Sequence, residues 1–298
     1  CIFCGIVSFS IIYNQEDDTT KVYSVDENNE IKKEEVAMVT EKEESQEEKK
    51  VIIKPIKKED ELPSYEGNHR VIPAHDMEKI KEQFVPQFNE NGHEEIKNIY
   101  FSEEKVVYLT FDDGPSKDIT PQVLDILKEH NVKATFFVLG ARVDLYPETL
   151  KRAFDEGHYI ANHGYSHSYK TIYAGVETVW GEYARTEQII RNCIQIQEYN
   201  SYLFRFPGGS AGGKYSKIKA EAKDYFESQK VATVNWNALS GDAEGATTRE
   251  EQLEYIERTS TDNTIILLMH DAADKQVTAD TLREIIAFYR DRGYEFKN

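Results

Sequence analysis

The chain has 298 residues, with 54 Asp and Glu against 36 Lys and Arg and a formal net charge of −18. That balance excludes a general polyanion binder, because sequence-independent nucleic-acid affinity comes from Lys and Arg neutralising phosphates, and no nucleic-acid partner is expected. Three cysteines exclude a disulfide framework, and the length allows two domains of roughly 150 residues or one α/β barrel with an appendage.

Residues 1–13 read CIFCGIVSFSIIY, an uncharged apolar run shorter than the about 20 residues that cross a bilayer. We read it as the end of a longer signal or anchor segment, which would bring the chain to a membrane and make it extracellular, surface-anchored or secreted. Cys1 and Cys4 form a C-x-x-C with neither the second pair of a zinc ribbon nor the βαβ surroundings of a redox motif. Residues 14–68 are dense in Glu, Lys, Asp and Asn, including EKEESQEEKK at Glu41–Lys50. Such a composition predicts a disordered linker, extended by self-repulsion. Residues 69–104 mix apolar and polar residues without a clear period and form a lead-in expected to pack against the domain that begins at residue 105.

From residue 105 to 298 apolar runs alternate with amphipathic stretches. Strands are predicted at Val106–Phe111, Ala134–Leu139, Tyr159–Asn162, Tyr202–Phe206, Val231–Trp236, Thr264–Met269 and Tyr294–Phe296. The first helix between them opens with Thr120 as N-cap and Pro121 at its first position, followed by Val123, Leu124, Ile126 and Leu127. Further helices are predicted at Pro147–Glu156, Val176–Gln197, Lys214–Ser228, Arg249–Thr259 and Thr278–Arg290. Near-continuous hydrophobic strands separated by helices indicate a parallel sheet covered on both faces, and their number favours a barrel of β/α units.

Polar residues gather where the strands end: Asp112-Asp113-Gly114, Asn162-His163, Arg205 to Gly209, Asn235 to Asp242, and His270-Asp271. In β/α barrels the strand C-termini and the loops after them carry the active site, so five such clusters converge on one mouth. His163 and His167 in HGYSH would project from one side of a helical turn and grip one cation. A carboxylate from TFDDG completes a His-His-Asp site that suits zinc, while its neighbour is free to act as general base towards water. His270, on another strand end, can protonate a leaving group. Metal, base and acid together are the parts of metal-assisted acyl hydrolysis.

TFDDGP (Thr110–Pro115), HGYSH (His163–His167), RFPGG (Arg205–Gly209), NWNALSGDA (Asn235–Ala243) and LLMHD (Leu267–Asp271) stand in the order and approximate spacing of the polysaccharide deacetylases, which this chain resembles. These are the metal-dependent carbohydrate esterases of family four, which share the nodulation-factor deacetylase homology domain. The resemblance covers residues 105–298. It implies a distorted (β/α)7 barrel that removes acetyl groups from N-acetylated or O-acetylated sugars. It also implies Asp112 as base, Asp113, His163 and His167 as ligands, and Arg205 as the partner that keeps the base ionised. Gly208 would supply an oxyanion N–H, His270 the acid, Asp242 the carboxylate that orients it, and Leu268 a wall of the acetyl pocket. Trp236 would be structural or line the groove. Zinc is the metal expected, with cobalt, nickel or manganese as alternatives.

Four positions depart from the family's pattern. Gly164 stands where Ser or Thr is common, Gly208 where Tyr is frequent, and Leu239 and Ala243 where an Asp and a Trp are common. A tether at the membrane points to peptidoglycan N-acetylglucosamine as substrate for a monomeric enzyme. The alternatives are chitooligosaccharide or O-acetyl xylan deacetylation, and a carbohydrate-binding protein without turnover.

Overall fold

The computed structural model describes residues 90–298, together with a two-residue antiparallel ladder of Ser24–Val25 against Ile31–Lys32. The chain divides into two units, Cys1–Ser64 and Tyr65–Asn298. The apolar start, most of the charged segment and the first part of the lead-in lie outside the described residues.

Alternation along the strands decides which side chains face which way. In β1 (Val106–Asp112), Val107, Leu109 and Phe111 enter the large core beneath the helices. Their neighbours Tyr108, Thr110 and Asp112 therefore face the opposite side, because successive strand residues point to opposite faces. The same division holds in β2 (Thr135–Val138), where Phe136 and Val138 pack outward and Phe137 inward. In β7 (Thr264–His270), Ile265, Leu267 and Met269 pack outward while Ile266 joins the inner cluster with Phe137, Ala161, Leu203, Ala232 and Val234. Burial on both faces explains why these strands read as unbroken hydrophobic runs.

The remaining strands are β3 (Tyr159–Asn162), β4 (Leu203–Phe204), β5 (Ala232–Thr233), β6 (Ala238–Leu239) and β8 (Glu295–Lys297). All pair in parallel in the order β5-β4-β3-β2-β1-β7-β6, with β8 added to the lower half of β1. The two ends of this curled sheet, β5 and β6, are joined by residues 234–237 and do not pair with each other. This break is the distortion of the barrel. β6 lies inside a stretch whose polar residues read as loop, and the predicted strand Val231–Trp236 shrinks to β5.

The lead-in folds as α1 (Glu90–Asn98) and a 3-10 turn (Ile99–Phe101). Ile96, Ile99 and Tyr100 pack on the inner cluster, and the Asn235 N–H donates to the Tyr100 hydroxyl at 3.0 Å. The outer helices are α2 (Ile119–Glu129), α3 (Gly140–Leu145), α4 (Pro147–Asp155), α5 (Tyr169–Ile172), α6 (Val176–Ile194), α7 (Ser216–Ser228), α8 (Arg249–Thr259) and α9 (Gln276–Asp291). α2 begins one residue before the expected cap. The Ile119 and Thr120 N–H groups donate to the Ser116 hydroxyl at 3.2 and 3.0 Å, so Ser116 does the capping. Thr120 instead donates its hydroxyl to the Asp271 carboxylate at 2.6 Å.

Candidate active site

Asp112 ends β1 on its inward face and is in register with His270 at the end of β7. Inward Arg205 follows β4, so three of the expected groups meet because strand ends of a barrel crowd together. Arg205 is fully buried. Its guanidinium donates to Asp112 Oδ1 and to Thr110 Oγ1, each at 2.8 Å, and to the Asn235 and Val234 carbonyls at 3.1 and 3.4 Å. The last two carbonyls belong to the link between β5 and β6, so one side chain both anchors that link and fixes the carboxylate. Its face lies 3.9 Å from the Phe137 ring centroid.

Burial pushes the Asp112 carboxyl above its ordinary range, and the Arg205 charge pulls against it without cancelling the effect. Arg205 favours the ionised form as expected, and desolvation, which outweighs it, leaves the carboxylate more basic than usual. A carboxylate held in place yet made more basic is suited to accepting a proton.

Asp113, His163 and His167 lie with one donor atom each within 4.8 Å of the others. His163 Nε2 is 3.6 Å and His167 Nε2 3.4 Å from Asp113 Oδ1. The two histidines were expected on a helical turn, but residues 163–168 form no helix. They meet because the chain bends twice in the left-handed region, at Gly164 (φ +83°) and at His167 itself (φ +54°); Asp113 also has φ +72°. Left-handed backbone at non-glycine residues costs about 1–3 kcal/mol and is found where the surroundings impose it.

Those surroundings are visible. His163 Nδ1 lies 2.7 Å from the Arg205 carbonyl oxygen, and only a protonated Nδ1 can donate there, which leaves Nε2 as the electron-pair donor facing Asp113. Burial lowers the His163 pKa to about 3, so the imidazole is neutral near pH 7. The Gly164 N–H donates to Asn162 Oδ1 at 2.9 Å, and the Tyr165 and Ser166 N–H groups donate to Glu182 Oε2 at 3.0 and 3.1 Å. Asn162 is held in turn by Glu187, whose Oε1 accepts from its amide at 2.9 Å. Glu182 and Glu187 on α6, and the amide role of Asn162, were not singled out from sequence.

The fit to a metal is tested by Asp113 Oδ1, which is buried and has no hydrogen-bond partner among the described residues. An orphaned carboxylate oxygen facing two imidazole nitrogens is the donor set of a divalent-metal site with open positions.

Beside it, His270 Nδ1 and Asp242 Oδ1 are 2.8 Å apart, and the His270 N–H donates to Asp242 Oδ2 at 2.8 Å. Burial alone would lower the imidazole pKa; the hydrogen bond and charge of Asp242, with the charges of Asp112 and Asp113, raise it to about 9. Asp242 is correspondingly held below its ordinary range by His270 and Thr278 against the opposing effect of burial. Asp271, fully buried beneath the same turn, is pushed up to about 7 by burial and by Asp113 and Asp112, against the Thr120 hydrogen bond.

Gly208 is exposed at φ +69° in the turn after Arg205. The Tyr173 hydroxyl donates to the Pro207 carbonyl at 2.6 Å, and the Gly209 N–H donates to the Phe206 carbonyl at 2.8 Å. Trp236 is half-buried, packed on the inner cluster and against Gly209. Leu268 is buried on β7, in register with Thr110 and Leu239.

The polysaccharide deacetylase family profile matches residues 101–225. The chain is 33% identical over 200 residues to a peptidoglycan-N-acetylglucosamine deacetylase of Bacillus cereus, covering 65% of this chain and 69% of that one. It is also 33% identical over 192 residues to a peptidoglycan-N-acetylmuramic acid deacetylase of Bacillus subtilis, covering 64% and 37%. The structure of a CE4 esterase of Streptococcus mutans superposes with a TM-score of 0.63 at 32% identity, over 68% of this chain and 89% of that one. The chain spans 48%, 69% and 85% of the lengths of three peptidoglycan-N-acetylglucosamine deacetylases of Bacillus cereus that it matches. With its motifs assembled at one barrel mouth and its relatives sharing both sequence and fold, the chain belongs to the polysaccharide deacetylase family.

Proposed function

We propose that the chain is a metal-dependent amide hydrolase that removes acetyl groups from N-acetylated cell-wall glycan, with peptidoglycan N-acetylglucosamine as substrate. The observation that carries this reading is the meeting of three units at one mouth: a His-His-Asp donor set, a buried carboxylate paired with Arg205, and a His270–Asp242 pair.

Asp113, His163 and His167 would hold the ion, and two imidazoles with one carboxylate suit zinc. When bound, the ion supplies Lewis-acid polarisation of the acetamide carbonyl and lowers the pKa of water. Asp112, fixed by Arg205 and made more basic by burial, takes the proton from the attacking water. The Gly208 N–H, in the turn after Arg205, would donate to the oxyanion that develops on the acetyl carbon's oxygen. His270 is protonated at neutral pH, and with Nδ1 engaged by Asp242 it delivers the proton from Nε2 to the departing sugar amine. The amide C–N bond breaks, giving acetate and a free amino sugar. Leu268 forms part of the apolar wall for the methyl group.

Relatives that act on peptidoglycan support a location outside the cell, and we place the domain at the cell surface or in secreted form. No helix among the described residues is long and apolar enough to cross a membrane. The test is acetate release by zinc-loaded protein from peptidoglycan, chitooligosaccharide and acetylated xylan. Turnover of peptidoglycan well above the other two is expected, whereas glycan binding with no release from any of them would support the binding-protein alternative.

A further inference from the structure

The turn that contains Gly208 is held by hydrogen bonds on one side and covered by an aromatic ring on another. Tyr173 ties down the Pro207 carbonyl and the Lys219 ammonium donates to the Gly208 carbonyl at 3.4 Å. Above Gly208 hangs Tyr169, the first residue of α5, two positions past His167. A Cβ built on Gly208 would fall inside the Tyr169 hydroxyl and 3.0 Å from its Cζ. The phenol thus occupies the volume that any side chain at residue 208 would need.

Tyr169 is placed between the two halves of the proposed chemistry. Its ring lies 5.5 Å from the His167 ring and 5.9 Å from the Tyr173 ring, and the Lys219 ammonium is 5.9 Å from its centroid. Lys219 is buried and Tyr173 fully so, whereas Tyr169 keeps 37% of its surface exposed. Among the described residues its hydroxyl has no hydrogen-bond partner. A clamped aromatic ring with a free hydroxyl, exposed at the lip of a polar mouth, has what a pyranose requires: an apolar face for sugar C–H groups and a group that hydrogen-bonds a ring hydroxyl.

We propose that Tyr169 is a specificity-determining residue that binds the ring of the sugar under attack, contributed by the metal-ligand loop to a position that Gly208 cannot serve with a side chain. This rests on the reading of the chain as a deacetylase. Because Gly208 carries the oxyanion N–H and His167 a metal ligand, a sugar held by Tyr169 brings its acetamido group between the two. Loss of a single neutral hydrogen bond to substrate weakens binding by about tenfold.

The test uses the full chain loaded with zinc, and compares Tyr169→Phe and Tyr169→Ala with the unmodified protein. Two substrates are followed, N-acetylchitopentaose and 4-nitrophenyl acetate, which has no sugar ring. We expect the ratio of kcat/KM for the glycan to that for the aryl ester to fall about tenfold in Tyr169→Phe and further in Tyr169→Ala, chiefly through the glycan KM, with zinc content unchanged. An unchanged ratio in both variants would overturn the assignment. So would parallel loss on both substrates together with loss of zinc, since that is the behaviour of a residue that only props His167. Unmodified protein that hydrolyses the aryl ester but releases no acetate from any glycan defeats the deacetylase reading itself, and this inference with it.

Discussion

Asp113 and His167 adopt left-handed backbone although neither is glycine, and both supply atoms to the candidate metal site. Strain of this kind persists where other contacts over-determine it, and for the His167 loop the hydrogen bonds that the Gly164, Tyr165 and Ser166 N–H groups donate to Asn162 and Glu182 do so. We expect His163→Ala and His167→Ala each to lose tight zinc binding and activity together, because two protein ligands rarely retain zinc; full occupancy by elemental analysis in either variant would remove that histidine from the site. The His270–Asp242 pair makes a second statement at this scale. Its pKa of about 9 stands above the ordinary 6.5, so the stabilisation it gives the fold is fully present below about pH 6.5 and is lost as pH rises through about 9. Activity should show an alkaline limb near the same value, and Asp242→Asn should move that limb down towards the ordinary histidine range. A limb that stays put in Asp242→Asn would show that another group titrates.

At the level of elements, the strands were legible because a parallel sheet buried on both faces writes itself as apolar runs, and Tyr159–Asn162 matches its predicted bounds to the residue. Two-residue β6 was not legible, since one Ala-Leu pair among polar neighbours carries no period. The HGYSH pair was read correctly as convergent and wrongly as helical: four-residue spacing suits a helix, but Gly164 and His167 turn the chain back by positive φ. The supports of that loop were out of reach for a different reason. Glu182 lies 16 and 17 residues beyond the N–H groups it accepts from, and a lone Glu in an amphipathic helix looks like any solvated charge. Glu182→Ala should leave the fold intact while weakening zinc affinity about 10- to 100-fold, as removal of groups that orient ligands does. A chelator competition titration measures it, and unchanged affinity would mean that the loop's other hydrogen bonds, to Asn162 and from the Gly140 and Ala141 N–H groups, hold it without Glu182.

For the whole molecule, the sheet curls into a barrel that its backbone ladder leaves open between β5 and β6. Where the pairing lapses, Arg205 ties the link between these two strands, through the Val234 and Asn235 carbonyls, to Thr110 and Asp112 on β1. One buried side chain thus holds both the inter-strand link and the candidate base, and neither composition nor spacing could have revealed the first role. An ion that binds only the folded state adds RT ln(1 + [L]/Kd), about 4 kcal/mol at a thousandfold excess over Kd. Chelation should accordingly lower the melting temperature by several degrees and zinc should restore it, while a midpoint indifferent to both would argue against a metal at this mouth.

The central claim, that Asp112 is the proton acceptor of a metal-dependent deacetylation and not a ligand, is tested most directly by Asp112→Asn. Acetate release from an N-acetylated glycan and zinc content are measured on the variant and on the unmodified protein, both readouts from the same samples. We expect zinc to remain at one per chain while turnover falls by about a hundredfold to ten-thousandfold, the range for a general base. Equal acetate release by the two proteins, or loss of zinc in step with activity, would contradict the account.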